Sequence, residues 1–177
     1  MTNHSQVSSI LNTLEVSRSK INKNFELLKE IAGDKLISPV LKSNAYGHGI
    51  ELVGPLFDTS EIPFICVNSF FEAKQLRNAG VKSEILIMGY VDEENLKEKM
   101  DFSFVIFSLE YAKRINSIYE SVKVHINIET GFHKEGFDIL NDEELLGEIR
   151  NLSNLRIEGV LTHLACSNDP PCETTKS

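Results

Sequence analysis

Pro39-Val40-Leu41-Lys42-Ser43-Asn44-Ala45-Tyr46-Gly47-His48-Gly49 is the stretch on which the reading of this chain turns. A short apolar run ends on a lysine, and that lysine opens a turn punctuated by Gly47 and Gly49, residues that accept backbone angles closed to others. The pattern predicts a strand over Ile37–Leu41, then a tight turn, then a helix. Most lysines carry their charge out to solvent. One that sits at the end of an apolar strand is instead placed for imine chemistry, because apolar surroundings favour the neutral amine that attacks an aldehyde.

Outward from this stretch the chain alternates short β-rich runs with helical patterns. Further strands are predicted at Ile62–Val67, Glu84–Tyr90, Phe102–Phe107, Val122–Ile128 and Ile157–Leu164. Each is rich in Val, Ile, Leu or Phe with little alternation, as strands buried on both faces of a parallel sheet are. Between them, Ser69-Phe70-Phe71-Glu72 reads as a capping box, followed by a stripe of Ala73, Leu76 and Ala79 and a stop at Gly80. Ser108 opens a helix through Ile115 and Ile118, and Asn141 with Glu144 opens one carrying Leu145, Ile149 and Leu152. An amphipathic helix over 17–31 places Ile21, Phe25, Leu28 and Ile31 on one face. Strand–helix alternation predicts an α/β fold, and periodicity alone does not separate a doubly wound sheet from a barrel.

Composition narrows the function classes. At 177 residues one domain is the default, with 41% hydrophobic and 25% charged residues. A net charge of −8 argues against a nucleic-acid partner, which calls for a basic face. No apolar run is long enough to span a membrane, and the start lacks the basic and apolar regions of a secretory signal, so a cytoplasmic location is expected. Cys66, Cys166 and Cys172 are odd in number and scattered, which points to reduced thiols and gives no metal-ligand spacing. Phosphate-binding glycine motifs and nucleophile elbows are missing from the sequence.

The stretch Lys42–Gly49 closely resembles the pyridoxal phosphate (PLP) lysine motif of alanine racemases, roughly Lys-Ala-Asn-Ala-Tyr-Gly-His-Gly, with Ser43 as the departure. Two later patches follow in the family's order. His125-Ile126-Asn127-Ile128-Glu129-Thr130-Gly131-Phe132-His133-Lys134-Glu135-Gly136 is similar to the segment after the family's fifth strand, and Gly159-Val160-Leu161-Thr162-His163-Leu164-Ala165 to that at its sixth. The resemblance runs from about Leu14 to Asp169. It implies a (β/α)8 TIM-type barrel, incomplete at about six of eight strands, since a whole barrel takes about 250 residues. Residues 1–177 then form the amino-terminal part of the barrel domain, without the family's carboxy-terminal β-domain and with open strand edges.

The resemblance also implies roles. Lys42 is the residue that holds PLP as an imine and acts as the catalytic base on one face of an amino-acid substrate. Tyr46 hydrogen-bonds the cofactor phosphate, His163 lies against its ring, and Lys134 contacts the cofactor's phenolic oxygen and the substrate carboxylate. A tyrosine from the partner subunit of a homodimer serves the other face. Lys134 replaces the family's arginine, keeping the charge without the planar fork. Asn127 stands where many members have a lysine that is often carbamylated, so another group or a bound anion has to supply that negative charge. Glu129 lengthens the usual aspartate by one methylene. His48 has no derived role beyond the turn. The implied activity is alanine racemisation supplying D-alanine for cell-wall peptidoglycan. A racemase of broader amino-acid specificity, a non-catalytic PLP-binding barrel protein and an inert truncated product remain as alternatives.

Overall fold

The computed structural model describes residues 12–59, 61–138 and 143–165. Five parallel strands form one sheet: β1 (Ile65–Val67), β2 (Ile85–Ile87), β3 (Ser103–Ile106), β4 (Val122–Asn127) and β5 (Leu155–Leu161). Their spatial order is their chain order, and every neighbouring pair is parallel. A doubly wound sheet reverses strand order at a switch point. The unbroken order seen here is that of a barrel wall winding in one direction, and the fold is an incomplete (β/α)8 barrel.

The stretch 37–41 adds a sixth element to that wall, but as a single parallel bridge, Val40 to Cys66, instead of the predicted strand. Leu41 N–H donates to the Cys66 carbonyl and Cys66 N–H to that of Pro39, both at 2.8 Å. Pro39 has no N–H to extend the ladder, and Leu41 (φ −114°, ψ 20°) already leaves the extended region.

Helices cover the outer face. They are α1 (Arg18–Ala32), α3 (Ile50–Val53), α4 (Phe70–Asn78), α5 (Glu93–Leu96), α6 (Leu109–Ile118) and α7 (Glu143–Arg150), with a 3-10 turn at Gly54–Leu56 and a left-handed turn, α2 (Lys42–Tyr46). The capping box at Ser69/Glu72 forms in both directions; Ala79 takes the C-cap, and Gly80 follows at φ +89°. Ser108 caps α6 through Tyr111 N–H. Asn141, read as the start of α7, lies outside the described residues, as do Cys166, Cys172 and the tail 167–177.

The core divides by strand periodicity. On β4, Val122, Val124 and Ile126 face the helices and join Ile65, Ile85, Phe104, Leu76, Ile115 and Ile149 in one buried cluster. Burial is worth about 1.5–3 kcal/mol for each such side chain. The opposite, inward face carries Cys66, Leu86 and Val105, with Phe64, Met88 and Leu161 packed on them. Burial pushes the Cys66 thiol up to about 12.

Two expectations of burial are corrected. β5 is not buried on both faces: Ile157 and Val160 are exposed, because among the described residues no strand follows β5 and no helix covers that side. Of the four apolar residues predicted on one face of α1, Ile21 and Phe25 are half-buried, Phe25 packing edge-on against Phe57, while Leu28 and Ile31 are exposed. The helix lies against the loop after α3 and offers its remaining apolar face to solvent.

Candidate active site

Immediately after Leu41 the backbone turns left-handed. Ser43, Asn44, Ala45 and Tyr46 all have φ between 53° and 56°. Each such L-residue costs roughly 1–2 kcal/mol, so the turn stands only because its surroundings over-determine it. Ala45, buried in the core, donates its N–H to the Leu41 carbonyl at 2.8 Å. Gly47 closes the turn at φ +87°, bonding Ser43 O and Asn44 O. Asn44 Oδ1 accepts from Ile50 N–H at 2.8 Å and so caps the start of α3. His48 gains a role that sequence did not give it: its Nδ1 lies 2.9 Å from the Ala45 carbonyl, and since a carbonyl only accepts, Nδ1 carries the proton. From the other side, buried Glu72 accepts the Asn44 N–H at 3.3 Å.

A second loop, 129–136, follows β4. Backbone N–H groups of Gly131, His133 (3.0 Å) and Lys134 (3.1 Å) all donate to the Glu129 carboxylate. Those bonds, led by that from His133, hold Glu129 below the ordinary carboxylate range. The loop then returns against β4, with Phe137 N–H on Asn127 O at 2.8 Å and Glu129 N–H on Phe137 O at 3.1 Å. Only glycine fits at 136, where a Cβ would stand 2.7 Å from Glu129 N. Asn127 Nδ2 donates to the Glu135 carbonyl at 2.5 Å, and Lys134 Nζ lies 3.6 Å from the Glu135 carboxylate.

The two loops and the end of β5 enclose a cavity of about 220 Å³. Lys42, Tyr46, Lys134 and His163 all line it. Asn127, Glu135, Thr162 and Leu161 complete one wall, and Val40, Asn68, Met88 and Val105 the other. Lys42, Asn68, Met88 and Thr162 each follow the end of an extended segment, so the cavity opens at the C-terminal ends of parallel strands, where barrels build their sites. His163 packs on Phe132 with ring centroids 4.5 Å apart, and Thr130 and Thr162 hydroxyls meet at 2.6 Å, tying the second loop to β5. His125 does not line the cavity; it points inward lower on β4, edge-on to Phe64 at 5.3 Å.

Sequence reasoning missed Asn68 and Met88. The first follows the predicted strand Ile62–Val67 and is open to the same strand-end argument as Lys42; the second falls inside the predicted strand Glu84–Tyr90. For Glu72 the sequence pattern predicts only half of a capping box. Among the described residues no group of three or more His, Cys, Asp or Glu could hold a metal ion, and no helix is long and apolar enough to cross a membrane.

Residues 16–177 match the model of the alanine racemase N-terminal domain family. The chain belongs to this family. It is 34% identical over 159 residues to the alanine racemase of Methanococcus maripaludis, covering 85% of this chain and 43% of that protein. To the alanine racemase of Corynebacterium glutamicum it is 30% identical over 161 residues, 89% of this chain and 45% of the relative. Among solved structures, the alanine racemase of Clostridium difficile 630 superposes with a TM-score of 0.81 at 28% identity over 89% of this chain and 44% of that one. The chain thus spans less than half the length of these relatives.

Proposed function

We propose that this chain is the cofactor-holding, amino-terminal part of the barrel domain of a PLP-dependent alanine racemase, interconverting L- and D-alanine. The observation that carries the reading is the single cavity at the strand ends that gathers Lys42, Tyr46, Lys134 and His163.

The donor set fits PLP. Lys42 offers the one amine that follows a buried apolar residue into the cavity, and its Nζ would hold the cofactor's aldehyde carbon. The Tyr46 phenol would donate to the phosphate. Lys134 supplies positive charge for the phenolic oxygen and for the substrate carboxylate, as a point charge and not a fork. The His163 imidazole, backed by Phe132, presents a flat ring for stacking. When bound, PLP supplies the electron sink that stabilises negative charge at the substrate Cα. Lys42 Nζ, once displaced by the substrate amine, would take or return the Cα proton on one face. The opposite face needs a second acid–base group, which a tyrosine of the partner subunit in a homodimer would provide. A product of D-alanine suits the supply of cell-wall peptidoglycan.

Reduction with borohydride in the presence of PLP, followed by peptide mapping, tests the assignment. The cofactor should be fixed on Lys42; fixation on Lys35 or Lys82 instead would sink it.

A further inference from the structure

We propose that Glu72 is a positioning residue for Lys42, acting as a carboxylate latch between the left-handed turn and the junction of β1 with α4. The proposal rests on the reading of Lys42 as the cofactor lysine.

A capping box requires only that the Glu72 carboxylate reach the Ser69 N–H. Glu72 does this with Oε2, at 3.1 Å, and the same oxygen takes Asn68 N–H at 3.0 Å. Its other oxygen, Oε1, leaves the helix altogether and accepts the N–H of Asn44, 28 residues earlier in the chain, at 3.3 Å. The residue is only 9% exposed, so the carboxylate sits where an unpaired charge is disfavoured and its partners are fixed. Asn44 lies two residues beyond Lys42 inside the strained turn, and Asn68, which follows the neighbouring strand β1, lines the cavity. One buried carboxylate therefore joins the turn to the end of β1. The alternative anchors of Lys42 are the backbone pairing of Leu41 with Cys66 and the buried Ala45. Neither touches the amide of Asn44, whose direction is set by left-handed angles that the chain does not adopt unaided.

The helix-capping role and the latch are separable. Ser69→Ala removes the other half of the capping box, the Ser69 Oγ that accepts Glu72 N–H at 3.2 Å, and leaves the carboxylate on Asn44. Glu72→Gln removes the charge and one acceptor. Glu72→Asp keeps the charge and the cap but is one methylene too short to reach Asn44 as well, and it serves should the glutamine variant fail to fold. Two readouts apply to this chain: amide hydrogen exchange over 43–47, and the rate at which PLP is fixed on Lys42 by borohydride at limiting cofactor.

Both Glu72 variants should raise exchange over 43–47 at least tenfold and slow fixation at least tenfold. Ser69→Ala should lower the melting temperature yet change either readout less than twofold. The latch is refuted if Ser69→Ala reproduces the loss of fixation, or if exchange over 43–47 is unchanged in Glu72→Gln and Glu72→Asp. A wild-type chain that fixes no PLP on Lys42 would overturn the functional reading instead, and exchange over 43–47 would then decide the latch alone.

Discussion

Gly136→Ala probes the loop that carries Lys134. A Cβ at this position would lie 2.7 Å from Glu129 N and 2.9 Å from Ile128 C, both backbone atoms of the β4 end. Carbon contacts are comfortable at about 3.5–4.0 Å, so the loop and the strand end must part by close to an ångström. Overpacking of this kind costs about 1–3 kcal/mol. Parting also breaks or stretches the bonds of Phe137 N–H to Asn127 O and of Glu129 N–H to Phe137 O, worth about 0.5–1.5 kcal/mol each. Against this, alanine stiffens the unfolded chain and returns only about 0.4–1 kcal/mol. The net loss is about 3 kcal/mol. With a urea slope of about 1–3 kcal/mol per molar, the unfolding midpoint should fall by about 1.5 M. Fixation of PLP on Lys42 should weaken, because Lys134 and Glu135 move with the loop. An unchanged midpoint together with full exchange protection at the Phe137 amide would refute the reasoning.

Further outcomes follow from the same geometry. In a full-length protein, Lys134→Ala should cut racemisation about 10- to 100-fold, equivalent to about 1.4–2.7 kcal/mol, while Lys134→Arg should hold or raise it as the fork returns; unchanged turnover in the alanine variant would place residue 134 outside the site. Burial raises the Glu84 carboxyl, but hydrogen bonds from Lys123 (2.6 Å) and Ser103 (2.5 Å) outweigh it and hold the group below its ordinary 4.5. Its stabilisation is therefore complete above about pH 5 and is lost as pH falls through the lowered folded value, so the stability deficit of Glu84→Gln against wild type should be constant near neutrality and shrink below pH 4. Val160→Lys on the exposed edge strand β5 should reduce self-association of the chain in sedimentation runs, since a charged edge resists pairing with another strand; an unchanged sedimentation coefficient in a self-associating chain would place the contact elsewhere.

The sequence carried the α/β class and the lysine of the cavity for different reasons. Strands such as Ile85–Ile87 are buried on both faces, and an unalternating apolar run records that directly. Lys42, Tyr46, Lys134 and His163 were legible as residue types in ordered motifs, and the structure brings all four to one cavity. Barrel closure was not in the periodicity, because doubly wound sheets and barrels share it; strand order separates them only in three dimensions. The stretch 37–41 has the apolar character of a strand, but Pro39 lacks the donor that would extend the ladder past one bridge. Leu28 and Ile31 fit a helical stripe well, but a stripe says which side is apolar and not whether anything covers it. Glu72 was half legible: its bond to Ser69 is a three-residue pattern, and its bond to Asn44 spans 28 residues and leaves no local trace.

The left-handed turn explains why Lys42 and Tyr46 share a cavity at all. They stand four residues apart, and a helical turn of either hand returns the chain to the same face after about that interval. Had the strand continued, Tyr46 would lie about 13 Å from Lys42, at about 3.3 Å per residue, beyond the reach of one small ligand. A helical turn therefore brings the amine and the phenol together while sending Ala45, one residue earlier, into the core as its anchor. The strain this stores is met by groups that lie outside the cavity, namely the His48 ring on Ala45 O, the Asn44 amide cap on α3 and the Glu72 carboxylate. Lys42 and Tyr46 themselves remain free of these duties. Substitutions at His48, Asn44 or Glu72 should accordingly disturb cofactor capture while touching no atom that the cofactor would touch.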